Sequence, residues 1–143
     1  MPSNLVDNAR VGSVIRAVLL ADAAFTAAVA FVLLFATWDQ LYNWLGIRGP
    51  EPAPPVQIAG ALVLGLGLLL YLGSRDATLT SGVALAAAVA NAVAALVIVV
   101  WFASGEGAGF SHGSKVMLVL LAAVFTGFAA AEGRAALRDD VLR

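Results

Sequence analysis

Four apolar stretches dominate this chain of 143 residues. A helix crosses a hydrocarbon core about 30 Å thick with roughly 20 mostly apolar residues. We expect four such helices, at about residues 14–37, 56–73, 79–102 and 116–131. None of these stretches shows the two-residue alternation that is typical of a barrel strand. The sequence therefore predicts an all-α, polytopic integral membrane protein that folds as a compact four-transmembrane-helix bundle.

Composition excludes several other classes of protein. Apolar residues make up 62% and charged residues 12% of the chain, against about 45–50% and 25% in soluble domains. This leaves too little polar surface for a soluble enzyme. The chain has no cysteine, which excludes disulfides and thiolate chemistry. Its formal charge of −1 provides no basic surface for nucleic acid.

Metal and cofactor sites are not expected either. Glu106 and His112 share one glycine-rich loop, and two ligands on a flexible loop make a poor metal site. The chain carries no serine elbow, no cysteine pair and no paired carboxylates on one helix face. We therefore expect no enzyme activity, no metal and no cofactor.

Proline and glycine mark the connections. Residues 48–56 contain four prolines, which cannot continue a helix. Residues 104–109 form a glycine-rich loop. The predicted organisation is a cytoplasmic N-terminal segment at residues 1–13, a single transmembrane domain at 14–135 and a charged cytoplasmic tail at 136–143.

Helix starts carry capping signals. Thr78 or Thr80 is the expected N-cap of the third helix, and Ser111 or Ser114 that of the fourth, because a hydroxyl accepts from the free backbone N–H groups there. Gln57 begins the second helix and is expected to be a solvated end residue.

Basic residues predict the orientation. Both termini and the second connection share one side of the membrane and hold six basic residues: Arg10, Arg16, Arg75, Arg134, Arg138 and Arg143. The other side holds two, Arg48 and Lys115. By the positive-inside rule, both termini lie in the cytoplasm. Arginine outnumbers lysine seven to one, and alanine and glycine abound, a composition that favours a bacterial inner (cytoplasmic) membrane protein.

Aromatic residues mark the opposite side. An interfacial belt is predicted from Trp38, Tyr42, Trp44, Trp101 and Phe102. Residues 39–47 are either a loop or a short amphipathic turn on the outer leaflet.

Small residues predict how the helices meet, because membrane helices associate through close packing. The third helix carries two small faces, one with Gly82, Ala86, Ala90 and Ala94 and one with Ala84, Ala88 and Ala92. We expect this helix to lie inside the bundle. The Ala/Gly-rich faces of the second and third helices are the expected contact for a membrane partner or for self-association.

Polar residues inside the spans are the candidate site. Asp22, Thr26, Asn91 and Thr126 are expected to form one polar thread, with Asn91 the leading partner of Asp22 although their estimated depths differ by about 9 Å. The thread serves either as interhelical glue or as a proton- or ligand-coupled site. Arg16 and Glu132, at similar expected depth, are predicted to form an interfacial ion pair.

Two functions remain open. The first is a non-catalytic accessory or binding subunit, surrounded by the lipid bilayer, that packs against a membrane partner or an apolar ligand. The second is a proton-coupled small transporter that acts as a homo-oligomer with Asp22 as the coupling carboxylate. The layout, though no motif, is similar to that of small multidrug-resistance transporters, which also have four helices and an essential acidic residue in the first; this likeness implies transport.

Overall fold

The computed structural model describes residues 3–35, 40, 43, 53–105 and 112–141. These residues form four helices: α1 (Ser3–Leu34), α2 (Ala53–Arg75), α3 (Thr80–Ala103) and α4 (His112–Val141). Each contains a stretch that is long and apolar enough to cross a membrane: Gly12–Leu34, Val56–Arg75, Thr80–Ala103 and His112–Leu137. The predicted all-helical class and the four apolar helices are therefore confirmed for this part of the chain.

All four helices differ from their predicted bounds, and α1 and α4 differ most. α1 begins at Ser3, so most of the predicted N-terminal segment is helical. The span of α4 continues to Leu137, six residues past its predicted end at Ala131. Ala135, Ala136 and Leu137 keep the helix apolar after Glu132. Glu132 consequently lies within the span.

The predicted outer connections fall mostly outside the described residues. Of residues 39–47, the structure describes only Gln40 and Asn43, so the amphipathic turn stays a prediction. Trp38, Tyr42 and Trp44 also lie outside the described part. Trp101 and Phe102 are exposed at the end of α3, where the aromatic belt was predicted.

The helices pack as two pairs. α1 lies along α2, and α3 lies along α4. The pairs meet mainly where α1 contacts α4, with smaller contacts between α2 and α3 and between α1 and α3. The expectation that α3 lies inside the bundle is wrong, because most of its residues are exposed.

Only one small face of α3 packs inside the protein. Its buried residues form a single stripe: Thr80, Ala84, Ala87, Ala88, Asn91 and Ala95. Gly82, Ala86 and Ala90, on the other predicted face, are exposed. Apart from the adjacent pair Ala87 and Ala88, its members recur every three or four positions, so the stripe follows one side of the helix.

Two glycines permit close helix contacts. A Cβ added to Gly60 would lie 2.9 Å from both Leu33 Cβ and Leu34 N, so α2 approaches α1 too closely there for any side chain. A Cβ on Gly73 would lie 2.7 Å from Val83 Cγ1. These glycines allow the backbones of neighbouring helices to meet.

The turn between α2 and α3 differs from its prediction. The N-cap position of α3 is Leu79, which makes no side-chain capping bond. Thr80 Oγ1 instead lies 2.8 Å from Gly73 O and 2.7 Å from Asp76 O, and so ties the end of α2 to the start of α3. Thr78 donates to Asp76 Oδ1 from its hydroxyl at 2.7 Å and its backbone N–H at 2.8 Å. Both bonds lower the pKa of Asp76, because they favour the carboxylate.

Two further end residues differ from expectation. Gln57 is half-buried rather than solvated, and its Nε2 donates to Leu34 O at 3.1 Å, which satisfies a free carbonyl at the end of α1. Ser114 lies within the first turn of α4 and not before it, so it is not the N-cap. Ser111 lies outside the described residues.

Candidate functional site

Three helices bring acidic and amide side chains together at one point. Asn91 on α3 donates from Nδ2 to Asp22 Oδ2 on α1 at 2.8 Å and to Glu132 Oε2 on α4 at 3.0 Å. Asp22 is 1% exposed, Glu132 0% and Asn91 8%. An amide nitrogen carries two protons, so Asn91 serves both carboxyl groups at once.

Thr26 completes this group, which we call the carboxyl cluster: Asp22, Thr26, Asn91 and Glu132. Thr26 lies one turn after Asp22 on α1, and its Oγ1 donates to Asp22 Oδ1 at 3.1 Å. Both oxygens of Asp22 therefore accept a hydrogen bond. Glu132 accepts only at Oε2, and its buried Oε1 has no hydrogen-bond partner among the described residues.

Helix periodicity positions the cluster. On α1, the buried residues Ile15, Leu19, Asp22 and Thr26 recur every three or four positions and form one face. On α3, Asn91 lies in the buried stripe of small residues. A Cβ added to Gly133 would lie 3.8 Å from Ala88 Cβ, so α4 approaches α3 closely beside Glu132. Small residues around the cluster thus allow three helices to converge on it.

The carboxyl groups are close and lack a cationic partner within the described part of the chain. Their bonded oxygens share one donor, so they lie no more than about 6 Å apart. Arg16 and Arg134, the basic residues nearest to them in sequence, are exposed. Two adjacent buried carboxyl groups resist ionising together, because each charge raises the cost of the other. The arrangement is chemically suited to hold a proton.

The structure joins Asp22, Thr26 and Asn91 as the predicted thread does. The estimated difference in depth of about 9 Å between Asp22 and Asn91 is wrong, since the two side chains are in contact. The apolar span of α1 begins at Gly12, ten residues before Asp22, and α3 begins at Thr80, eleven residues before Asn91, so the two side chains lie at similar distances from the starts of their spans.

Thr126 lies outside the cluster. It is exposed, and its Oγ1 donates to Ala122 O within α4 at 2.8 Å. Six residues separate it from Glu132, which turns it about 240° away around the helix. Its predicted place in the polar thread is therefore wrong.

The residue that α4 contributes to the carboxyl cluster is Glu132 and not Thr126. The expected ion pair between Arg16 and Glu132 does not form between these two described residues, because Glu132 is buried against Asn91 while Arg16 is exposed. The apolar residues that follow Glu132 are the sequence signal that places it inside the span. Arg134 obscures this signal, because basic residues commonly flank the end of a span.

An apolar groove runs along the contact between α1 and α4, beside the cluster. Its volume is about 530 Å³, and it is lined by Val14, Ala17, Val18, Ala21, Val124, Gly127, Phe128 and Ala131. Ala21 and Ala131 directly precede Asp22 and Glu132. Beside the groove, the ring of Phe25 lies 5.7 Å from that of Phe125 and 5.8 Å from that of Phe128. The cluster and the groove therefore share one helix–helix seam.

Comparisons of the chain with family models, curated proteins and solved structures found no match. The likeness in layout to small multidrug-resistance transporters accordingly rests on the number of helices and on Asp22. Within the described residues, no three His, Asp or Glu side chains converge on a metal position. The most distinctive chemical feature of the described residues is the carboxyl cluster, in which two buried carboxyl groups share one amide.

Proposed function

We propose that this protein is a small proton-coupled transporter in which the carboxyl cluster binds and releases a proton. One observation carries the proposal: two buried carboxyl groups, Asp22 on α1 and Glu132 on α4, share the amide of Asn91 on α3. Acidic residues within membrane spans commonly belong to ion and proton pathways. Only three residues of the α4 span, Glu132, Ala135 and Ala136, are buried, which leaves surface for a second copy in a homo-oligomer.

The energetics favour a bound proton. A carboxylate at the centre of a membrane helix costs about 2.5–3.5 kcal/mol. The cluster contains three hydrogen bonds, each contributing about 0.6 kcal/mol in membrane proteins. Together they offset about 2 kcal/mol, which is close to the cost of one carboxylate but well short of two. One proton bound by the pair removes the cost of the second carboxylate, and the three hydrogen bonds then offset most of the cost of the first.

The position of the cluster supports coupling to movement. Asp22 belongs to the α1–α2 pair, whereas Asn91 and Glu132 belong to the α3–α4 pair. When the proton leaves, two negative charges face each other across the seam. At about 6 Å, the largest separation that the shared donor allows, and an effective dielectric constant of about 20, their repulsion is about 3 kcal/mol, and it rises as the distance shortens. That energy is enough to shift the balance between two arrangements of the helix pairs.

Proton flux in liposomes tests this function. The purified protein is reconstituted with a pH-sensitive dye inside, an acidic interior is imposed, and a panel of small solutes is added outside. We expect at least one solute to speed the loss of the pH gradient with the unmodified protein and with D76N, but not with D22N or E132Q. D76N makes the same chemical change at an exposed turn. Equal rates for D22N and D76N with every active solute would contradict the proposal.

Location and orientation form part of the proposal. We place the protein in a bacterial cytoplasmic membrane, with both termini in the cytoplasm. Four apolar helices and six basic residues against two support this arrangement. Tags at both ends, probed in intact cells, test it. We expect both tags to be protected until the membrane is permeabilised, and a tag accessible from outside would contradict the orientation.

A second candidate is an accessory membrane subunit. The observation that favours it is the exposed small residues Ala61 and Gly65 on α2 and Gly82, Ala86 and Ala90 on α3. Small residues allow another helix to approach closely. Purification from native membranes tests it: a partner that co-purifies with the unmodified protein and with V89L, but not with A86L, would support this function.

A further inference from the structure

Given the proposed function, in which the carboxyl cluster binds a proton, we infer that Glu132 carries this proton and that Asp22 remains a fixed anion. The assignment rests on proton binding by the cluster but not on any particular substrate. It reverses the expectation that Asp22 is the coupling carboxylate. Glu132 then exchanges the proton, and Asp22 holds it in place.

Unequal hydrogen bonding distinguishes the two carboxyl groups. Asp22 accepts one bond at each oxygen, from Thr26 at 3.1 Å and from Asn91 at 2.8 Å. Glu132 accepts one bond, at 3.0 Å, and its Oε1 has no partner within the described chain. Hydrogen bonds donated to a carboxylate favour its ionised form. Asp22 therefore holds the negative charge more readily than Glu132.

The surroundings of Glu132 support the same assignment. The side chain is fully buried, with the buried Ala135 and Ala136 following it on α4. A buried carboxylate oxygen without a donor is costly, because it loses its hydration and gains nothing in return. A protonated Glu132 carries no net charge and becomes a donor towards the neighbouring Asp22 carboxylate.

Among the described residues, the helices that pack around the cluster bring no positive charge to it. α1 contributes Asp22 and Thr26, α3 contributes Asn91, and α4 contributes Glu132. α2 approaches with Gly67, where an added Cβ would lie 3.5 Å from Thr26 Cγ2, and so brings no charge. The basic residues nearest in sequence, Arg16 and Arg134, are exposed. Within the described residues, a proton is the positive charge that the pair can take up.

This assignment predicts different outcomes for the two conservative variants. E132Q replaces a protonated carboxyl group with a neutral amide of similar shape, so the α1–α4 contact is retained. D22N removes the fixed anion, and because an amide has one acceptor oxygen where the carboxylate has two, it loses one of the two bonds donated by Thr26 and Asn91. We therefore expect D22N to unfold at a lower denaturant concentration than E132Q at neutral pH.

Infrared spectroscopy with isotope labels tests the assignment directly. The C=O stretch of a protonated carboxyl group is recorded at neutral pH for purified protein whose glutamate or aspartate side-chain carboxyl carbons carry ¹³C. We expect glutamate labelling to shift the band, and E132Q to remove it. E106Q is the matched control and should retain the band.

The outcomes distinguish a wrong assignment of the proton from a wrong proposed function. A band that shifts only with labelled aspartate and disappears in D22N would overturn the assignment while proton binding stands. The absence of any such band would overturn both. The chain has three glutamates, Glu51, Glu106 and Glu132. If E132Q does not fold, the E51Q/E106Q variant leaves Glu132 as the only glutamate, and a glutamate-shifted band in that variant supports the assignment as directly.

Discussion

The close contact at Gly60 allows a quantitative test of how α1 and α2 pack. An added Cβ would lie 2.9 Å from both Leu33 Cβ and Leu34 N, whereas carbon atoms in good contact lie about 3.5–4.0 Å apart. One of the two obstructing atoms belongs to the backbone of α1, so a side-chain rotation cannot relieve the clash. We expect the overpacking in G60A to cost about 1–3 kcal/mol.

Gly65 on the same helix provides the matched control. An added Cβ there meets no described atom within 4 Å, so G65A changes only helix propensity. Replacing glycine by alanine within a helix gains up to about 1 kcal/mol. Because both variants share this gain, the difference between them isolates the clash. We expect G60A to be less stable than G65A by about 1–3 kcal/mol.

Unfolding in mixed micelles with increasing dodecyl sulfate, followed by circular dichroism, measures the free energy of unfolding for both variants. Equal stability of G60A and G65A would contradict the close contact of α2 with α1 at Gly60. If both variants were also less stable than the unmodified protein by the same amount, glycine itself would be needed in α2, independently of its contact with α1.

Three further predictions follow from single contacts. N91A removes the donor to two buried carboxyl groups. We expect the free energy of unfolding to fall by about 1–3 kcal/mol, and an unchanged denaturation curve would contradict the contact. T80V removes the hydroxyl that ties α2 to α3 and should lower the free energy of unfolding by about 0.5–1.5 kcal/mol. T126V loses only a bond within an exposed part of α4 and should lower it by less in the same titration. In the folded protein the pKa of Asp76 is lowered, below its value of about 3.9 in the unfolded chain. The ionised Asp76 therefore stabilises the fold above a pH of about 3.9, and this stabilisation is lost as the pH falls through the pKa of the folded protein. Carboxyl-carbon NMR shifts check this, and T78V should move the midpoint back up.

Much of the fold follows from the sequence because apolar length is a local property. Each of the four stretches is recognisable without knowledge of its neighbours. The end of α4 is the exception, since Glu132 and Arg134 resemble a boundary although apolar residues continue to Leu137. A charged residue ends a span only when it lies in water, and Glu132 is buried by other helices.

The site was only partly predictable for a related reason. Asp22 and Asn91 are identifiable as polar residues in apolar surroundings, and Thr26 shares a face with Asp22 by helical spacing. The approach of Glu132 to Asp22 through Asn91 depends on how far α4 is shifted along α1, which no local pattern encodes. Thr126 lies in the apolar part of α4, but its direction around the helix excludes it from the cluster.

Counting protons on unfolding tests the central claim, that the buried carboxyl pair holds one proton. The protein is unfolded at neutral pH in weakly buffered detergent, and the released protons are measured with an indicator dye. We expect the unmodified protein to release one more proton per chain than D22N/E132Q, because the freed carboxyl group ionises in water. Equal proton release from the two proteins would contradict it.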